Sequence, residues 1–562
     1  MKILGLNFTS DASAALVVDG RLVAALSEER LNRIKRWYGV PHSAVQTVLE
    51  IAGLTLDDID VIATHGTTGS RPDEAAFDAK ERAIAAGDLA PDVRERQLQQ
   101  LRIRREHERM VLARRTPSYV AAVRELGPPV RVLAHHTAHA AGAFFGSGWE
   151  DCLILTADGW GDEASATLWE GRGTRLTRLS LTPTIDSLGY FYGSITKALG
   201  FTPHRHEGKV LGLAAYCAEP KSYPEIRAMI DYDARTRQFL THPERGLYLP
   251  FFDNPGLTDF VRGYPREDVA AAAQRSLEDV VCACVADLGD RARRLAVAGG
   301  IFANVKLNQR LRELPNVDEV YVFPNMGDGG LSVGAAWLAH AAMTGRRPEA
   351  LGRLALGPPP SAREIAAALD ASGLVVRRVA DIQDRVAALL AEGHVVARFD
   401  GRMEFGPRAL GYRSILCAAT DPSVNDWLNA ALRRSEFMPF APATLAEDAD
   451  ARYVGLGGGR DAARYMAMTF DCTPTMRAES PAAVHVDGTA RPQVVSRDDQ
   501  PDFHAILTAY KRRTGIPTLI NTSFNMHEEP IVCTIDDAVR AVLAARLPYL
   551  AAGDFLAEVP AA

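Results

Sequence analysis

The sequence predicts an α/β protein in two domains, the first assembled from two similar halves. Three features carry that prediction. A strand–turn–strand plan occurs twice before residue 345, apolar strands run into Gly-rich turns, and stacked prolines part the chain between residues 346 and 361. The first copy of the plan is Ile3-Leu4-Gly5-Leu6-Asn7, the turn Thr9-Ser10-Asp11, and Ala12-Ser13-Ala14-Ala15-Leu16-Val17-Val18. Asp19-Gly20 then supplies a hairpin turn before Arg21-Leu22-Val23. The second copy runs from Leu153-Ile154-Leu155-Thr156 through Asp158-Gly159-Trp160-Gly161-Asp162 to Ala164-Ser165-Ala166-Thr167-Leu168-Trp169. Both copies place Ala-Ser-Ala-x-Leu directly after an acidic turn.

Two such hairpins in one domain fit the duplicated actin/Hsp70/hexokinase-type fold, in which each half offers a turn to phosphate. Two Gly-rich segments agree with it. Leu295-Ala296-Val297-Ala298 ends in Gly299-Gly300, with Asn304 shortly after, and Gly327-Asp328-Gly329-Gly330 opens a helical stretch. Glycine lets backbone approach a ligand, and a helix N-terminus favours anions. The bland alternative is a pair of tight turns. No G-x-x-x-x-G-K-[ST] and no G-x-G-x-x-G after a strand is present, which excludes P-loop and Rossmann readings. Pro348 and Pro358-Pro359-Pro360 have fixed φ and no N–H, so they suit a linker. The expected domains are therefore 1–345 and 362–562, joined by 346–361.

Composition narrows the function classes. The chain has 562 residues, 47% hydrophobic and 24% charged, with a formal net charge of -7, so it is globular with ample core. The acidic balance argues against bulk nucleic-acid binding. No apolar run reaches the ~18–20 residues of a bilayer span. The seven cysteines form no C-x-x-C pair, and Met1-Lys2-Ile3 leads straight into a strand rather than a signal peptide. Together these set the expectation of a cytoplasmic protein with reduced thiols. Residues 92–115 form a charged insert with six arginines from Arg102 to Arg115. It reads as a solvated helix face or as a surface for a partner, a homodimer included.

Three histidines fall within five positions at His135-His136-Thr137-Ala138-His139. On a helix, positions i and i+4 share a face, so His135 and His139 can hold one ion, while His136 faces elsewhere. Asp158 in the second hairpin turn and Asp328 in the Gly-rich turn are the carboxylates that could complete the set. Two imidazoles with two carboxylates favour iron, manganese or zinc and disfavour calcium. In the last 200 residues, arginines sit in turns rather than on helix faces. Gly401-Arg402 and Gly406-Pro407-Arg408-Ala409-Leu410-Gly411-Tyr412-Arg413 are followed by Arg433-Arg434, by His485-Val486-Asp487-Gly488-Thr489-Ala490-Arg491 and by Asn521-Thr522-Ser523-Phe524-Asn525. Guanidinium matches phosphate geometry, so this clustering suits a polyanion site.

These motifs, with His206-Glu207-Gly208-Lys209-Val210-Leu211-Gly212, occur in order along nearly the whole chain. The sequence resembles the O-carbamoyltransferases of the NodU/CmcH/TobZ type, which tailor natural products. The resemblance implies an actin-like first domain and a YrdC-like α/β second domain. The second would form carbamoyl-adenylate from carbamoyl phosphate and ATP, with magnesium accompanying the ATP. The first would pass the carbamoyl group to a hydroxyl beside a divalent metal, iron first among the candidates. The resemblance makes His135, His139, Asp158 and Asp328 the metal ligands. Arg408, Arg434, Arg491, Asn521 and Ser523 become the contacts to carbamoyl phosphate and ATP. Gly299, Gly300, Asn304, Lys209 and Arg413 belong to further motifs assigned to cofactor binding, and Lys35 matches a lysine that reaches ligand phosphate.

One departure stands out. The family shows His-Asp where this chain has Ser10-Asp11. A serine hydroxyl is too weak a base to replace imidazole, so Asp11 or another group takes the proton, metal polarisation and adenylate reactivity suffice without it, or Ser10 is an engineered change. Two rival readings are a tRNA threonylcarbamoyl-type adenylate-forming enzyme and an inactive nucleotide-binding regulator. The acidic charge and the His485–Arg491 motif tilt against the first, and the intact ligand set against the second. The expected partner is a small-molecule hydroxyl acceptor, with no nucleic acid and no membrane. Residues 65–130 and the neighbourhood of Tyr190, Phe191, Tyr192 and His204 are where acceptor contacts are expected.

Overall fold

The computed structural model describes residues 1–66, 71–246, 254–434 and 437–560. Residues 67–70 of the expected acceptor region and Ser435-Glu436, next to Arg434, lie outside the described residues. Two compact units are present. One comprises residues 1–8, 16–22 and 56–350, and the other residues 9–15, 23–55 and 351–562.

Residues 1–350 carry two five-stranded sheets. Strands β1 (Lys2–Asn7), β2 (Ser13–Val18), β3 (Arg21–Ser27), β4 (Val61–His65) and β5 (Val130–Leu133) lie in the order β3-β2-β1-β4-β5. Strands β6 (Asp151–Gly161), β7 (Ala164–Arg172) and β8 (Arg175–Pro183) begin the second sheet. A side ladder of β9 (Ile230–Asp233) and β10 (Gln238–Thr241) precedes β11 (Arg294–Ala298) and β12 (Glu319–Val322). The second sheet runs β8-β7-β6-β11-β12, so first, second and third strands and the two later ones repeat the same order. β1, β4 and β5 are parallel neighbours, as are β6, β11 and β12. The duplicated actin-like fold expected from the two hairpins is present, and the repeated Ala-Ser-Ala opens β2 and β7 with Ser13 and Ser165 buried.

The apolar strands are buried on both faces, which is why they read as near-continuous hydrophobic runs. After the last strand of each sheet comes a helix, His135–Ser147 after β5 and Leu331–Thr344 after β12. The two helices pack closely: a Cβ at Gly334 would lie 2.0 Å from the Ala138 carbonyl oxygen. Equivalent places in the two halves thus bring the start of one helix and the turn before the other toward each other.

The second unit is α/β as expected. Its strands are β13 (Val375–Arg378), β14 (Val396–Phe399), β15 (Arg413–Ala418), β16 (Ala441–Leu445), the short pair β17 (Phe470–Asp471) and β18 (Thr489–Ala490), β19 (Gln493–Val495), β20 (Thr518–Ser523), β21 (Tyr549–Ala552) and β22 (Phe555–Glu558). Eight of them form one mixed sheet, β13-β22-β21-β14-β15-β20-β16-β19. Helices Ile382–Ala391 and Pro501–Thr514 pack their apolar stripes on it through Val386, Leu390, Phe503, Leu507 and Tyr510. None of the seven cysteines is bridged. Among the described residues no helix is long and apolar enough to cross a membrane.

Candidate active site

The helix His135–Ser147 starts where β5 ends, and its N-terminus is capped from another element: the Asp162 carboxylate accepts the His135 backbone N–H at 2.8 Å. Helical spacing then puts the His135 and His139 rings on one face, 4.8 Å apart between centroids. Asp158 arrives from the β6 end of the hairpin and Asp328 from the turn before Leu331–Thr344. One donor atom from each of these four side chains lies within 4.8 Å of the other three. His139 Nε2 is 3.2 Å from Asp158 Oδ2 and 3.7 Å from Asp328 Oδ1, and His135 Nε2 is 3.8 Å and 3.6 Å from the same oxygens.

Those separations fit a bound ion. Four ligands at about 2.1 Å around a tetrahedral centre stand roughly 3.4 Å apart. His135 Nε2, His139 Nε2 and Asp158 Oδ2 are buried with no hydrogen-bond partner among the described residues. Three buried polar atoms that face one point could share a ligand. The donor set, two imidazoles and two carboxylates, suits a divalent transition metal. Without an ion, burial opposes charge on His139, but Asp158 and Asp328 overcome it and raise the imidazole to about 9. Burial likewise opposes the Asp158 carboxylate, which His135 and His139 hold well below the usual range.

Three glycine positions around this cluster leave little room for a side chain. A Cβ at Gly161 would fall 2.0 Å from His135 Cδ2. Gly299 has φ +107° and a Cβ there would meet the Ala157 carbonyl at 2.1 Å, while a Cβ at Gly300 would be 3.0 Å from Asp158 Oδ1. The diglycine therefore packs against the Asp158 hairpin. Asn304 spends its amide inside the fold: Oδ1 accepts from the Leu307 backbone at 3.0 Å, and Nδ2 donates to Gln274 at 2.8 Å. Lys209 is buried on the helix Glu207–Ala214.

His136 is not part of the donor cluster. Its Nε2 donates to the Ala164 carbonyl at 3.1 Å and its Nδ1 lies 2.7 Å from Thr156 Oγ1. Burial first, then His135 and His139, hold it well below the usual imidazole range. A further histidine escaped the sequence reading. His65 ends β4, donates from Nε2 to Asn7 Oδ1 at 2.7 Å, and sets its ring edge-on to His135 at 5.1 Å. The available signal was that Asn7 and His65 are the polar C-terminal ends of two largely apolar strands.

In the second unit, the segment 23–55 is anchored by arginines. Arg30 donates to the Gly406 carbonyl at 2.9 Å, and Arg33 to the Pro530 and Ile531 carbonyls at 2.7 and 2.8 Å. This segment carries Lys35. Burial lowers its ammonium below the ordinary lysine value; Glu528 and Glu29 oppose the shift, while Arg30 and Arg434 add to it. Ser10 Oγ accepts from Arg36 Nη2 at 2.6 Å and Nε at 3.0 Å, so its lone pairs face a guanidinium. Asp11 beside it holds a left-handed φ of +59°.

Arg434 and Ser523 come together at the end of β20. Arg434 donates to Thr522 Oγ1 at 3.0 Å, to the Ser523 carbonyl and Oγ at 2.9 and 3.1 Å, and to the Asn525 carbonyl and Oδ1 at 2.8 and 2.9 Å. The Arg408 loop is held by its neighbours. Asn521 donates to the Ala409 carbonyl at 3.2 Å and Gln493 to the Leu410 carbonyl at 2.9 Å, while Glu404 Oε1 accepts the Leu410 N–H at 2.9 Å. Asn521 also donates to Gln493 Oε1 at 2.7 Å, and its Oδ1 is buried without a partner. Arg413 is fully buried, stacks 3.9 Å over the Phe399 ring and donates to the Asp400 and Gly401 carbonyls at 2.7 and 3.1 Å. Arg491 is half-buried just before β19. Glu404 and Gln493 are supporting residues outside the quoted motifs, while Thr522 and Asn525 lie within one that gave them no role.

The family profile described as "Carbamoyltransferase N-terminus" matches residues 2–337, and "Carbamoyltransferase C-terminus" matches residues 387–558. The chain belongs to the carbamoyltransferase family. Its relatives include the nodulation protein NolNO of Sinorhizobium fredii, 34% identical over 98% of this chain and 79% of its own. Nodulation protein U of Rhizobium tropici is 30% identical, over 94% of this chain and 91% of its own. Among solved structures, full-length HypF in a phosphate- and nucleotide-bound form aligns at 12% identity with a TM-score of 0.34, over 61% of this chain and 46% of its own. This carbamoyltransferase thus carries both family halves in one chain.

Proposed function

We propose that this carbamoyltransferase works in two half-reactions, using ATP and carbamoyl phosphate to carbamoylate a hydroxyl of a small-molecule natural product. The observation that carries the reading is the pairing of both family halves with two separate polar constellations. In the second unit, Arg408, Arg434 and Arg491 with Lys35 supply the cationic charge that ATP, entering with magnesium, and carbamoyl phosphate require. Carbamoyl phosphate loses its phosphate to water, and the resulting carbamate oxygen attacks the α-phosphorus of ATP. The bond to the β-phosphate oxygen breaks, giving carbamoyl-adenylate and pyrophosphate. Asn521 and Ser523 orient the reacting groups.

His135, His139, Asp158 and Asp328 would hold a divalent ion, iron, manganese or zinc, which when bound would supply Lewis-acid polarisation. In the transfer step the acceptor oxygen bonds to the carbamoyl carbon, the carbon–oxygen bond to AMP breaks, and the hydroxyl proton goes to a base. Ser10 cannot serve, because Arg36 already donates to its Oγ. Asp11 is the adjacent carboxylate and takes the proton in this reading.

Pyrophosphate release tests the first half. Incubation with ATP, carbamoyl phosphate and magnesium is expected to liberate pyrophosphate, and its absence would remove the adenylate step. For the second half, Asp11→Asn is expected to lower carbamoyl transfer by ~10²–10⁴-fold while pyrophosphate release continues. Transfer at the wild-type rate would exclude Asp11 as the base. A screen of hydroxylated natural products, followed by carbamate formation, would identify the acceptor.

A further inference from the structure

The arginine-rich insert is not simply a solvated face. The helix Pro91–Met110 buries Gln97, Leu101, Arg104 and Glu108 along one stripe, and two of these four carry full charge. Arg104 and Glu108 are 1% and 0% exposed and pair at 2.8 Å. Glu108 also accepts from Thr184 Oγ1 at 2.7 Å. Burial opposes both charges, and a buried ion pair adds little net stability over apolar residues, so its use here calls for a positional reason.

The reason lies in what the guanidinium touches. Its carbon sits 4.9 Å from the Trp160 ring centroid and 4.2 Å from that of Tyr190. His107, one turn further along the same helix, sets its ring edge-on to Trp160 at 5.8 Å. Trp160 belongs to the turn that carries Asp158. Its indole N–H donates to the Asp162 carbonyl at 2.8 Å, and the Asp162 carboxylate caps the His135 helix. On the other side, the Tyr190 backbone N–H donates to Ser187 Oγ at 3.0 Å, and Ser187 Oγ donates to the Gly159 carbonyl at 2.7 Å. The insert thus grips both sides of residues 158–162.

We infer that Arg104 is a positioning residue for the metal centre: by clamping Trp160 and Tyr190 it sets the turn that presents Asp158 and caps the histidine helix. This rests on the reading of the four-residue cluster as a metal site. Groups that orient ligands in this way change metal affinity by ~10–100-fold when removed.

The test uses the full chain and cobalt(II), whose visible absorption reports both binding and coordination. Arg104→Met with Glu108→Gln removes both buried charges at similar volume, so that no lone carboxylate is left in the core. Circular dichroism and the thermal midpoint check folding. The expected result is a folded protein with cobalt affinity reduced ~10–100-fold and an altered absorption band. In the metal-free protein, amide hydrogen exchange within residues 158–162 is expected to rise while the second unit is unchanged. Should the double variant not fold, Arg104→Lys decides: it retains the charge for Glu108 but loses the planar stack, and the same two changes are expected. Cobalt affinity within twofold of wild type, with unchanged exchange in the turn, would overturn the inference. A wild-type chain that binds cobalt no better than His139→Ala would instead overturn the metal reading, and the exchange measurement would still judge the clamp on the turn.

Discussion

His139→Ala is expected to abolish stoichiometric binding of a divalent metal and to lower carbamoyl transfer by more than the ~10–100-fold typical of losing a group that only supports metal ligands. The argument is local. His139 is 3.2 Å from Asp158 and 3.7 Å from Asp328, and its Nε2 is buried without another partner. Alanine removes one of two imidazoles and leaves two carboxylates facing each other with less compensating charge. Asp158, held low by His135 and His139 together, then rises toward or above its ordinary pKa. The fold should survive, because the histidine helix is capped by Asp162 and packed against Leu331–Thr344 independently of that ring. Metal analysis of the purified protein and a carbamate-product assay check the result. Pyrophosphate release measured in parallel should persist, since the residues proposed for it lie in the other unit. Wild-type metal content in the variant would reject the assigned ligand set.

The reciprocal result is expected for Arg434→Ala: pyrophosphate release falls ~10²–10³-fold, the scale of losing a preorganised donor at a charged transition state, while metal content is unchanged. Arg434 donates to three carbonyl or carboxamide oxygens and two hydroxyls along Thr522–Asn525. Alanine removes a cation from the expected polyphosphate site and also leaves those acceptors to find water. Arg434→Lys returns the charge but not the planar fork, so only partial recovery is expected. Kinetics of pyrophosphate release with varied ATP and carbamoyl phosphate separate the two effects. A rate near wild type in Arg434→Ala would place the adenylate chemistry elsewhere. The two variants together test whether the half-reactions are separable.

Much of the site was legible because its chemistry depends on residue type in a local pattern. His135 and His139 announce a shared face through helical spacing, and the repeated Ala-Ser-Ala after an acidic turn announces the duplicated hairpin. The arginines of the second unit stood out by lying in Gly-rich loops. The supporting residues were not legible. Arg104 looked like one more charge on a polar helix, yet its guanidinium is enclosed between Trp160 and Tyr190. Gln493 and Glu404 carried no motif signal for their hold on the Arg408 loop. Arg413 matched a motif among anion-binding candidates, but its guanidinium is stacked on Phe399 and bonded to backbone carbonyls.

By itself, the sequence determined the α/β class, the internal duplication and the carbamoyltransferase family, because periodicity, turn residues and side-chain type are local properties. Tertiary structure alone decided which polar atoms remain unpaired and therefore able to bind. His136 lies next to His135 in the chain, yet Thr156 and Ala164 satisfy it, while His135 is left to face Asp158 and Asp328. That difference is set by sheet order and by the close packing of two helices at Gly334. Such pairing joins residues far apart in the chain, and no local pattern encodes it.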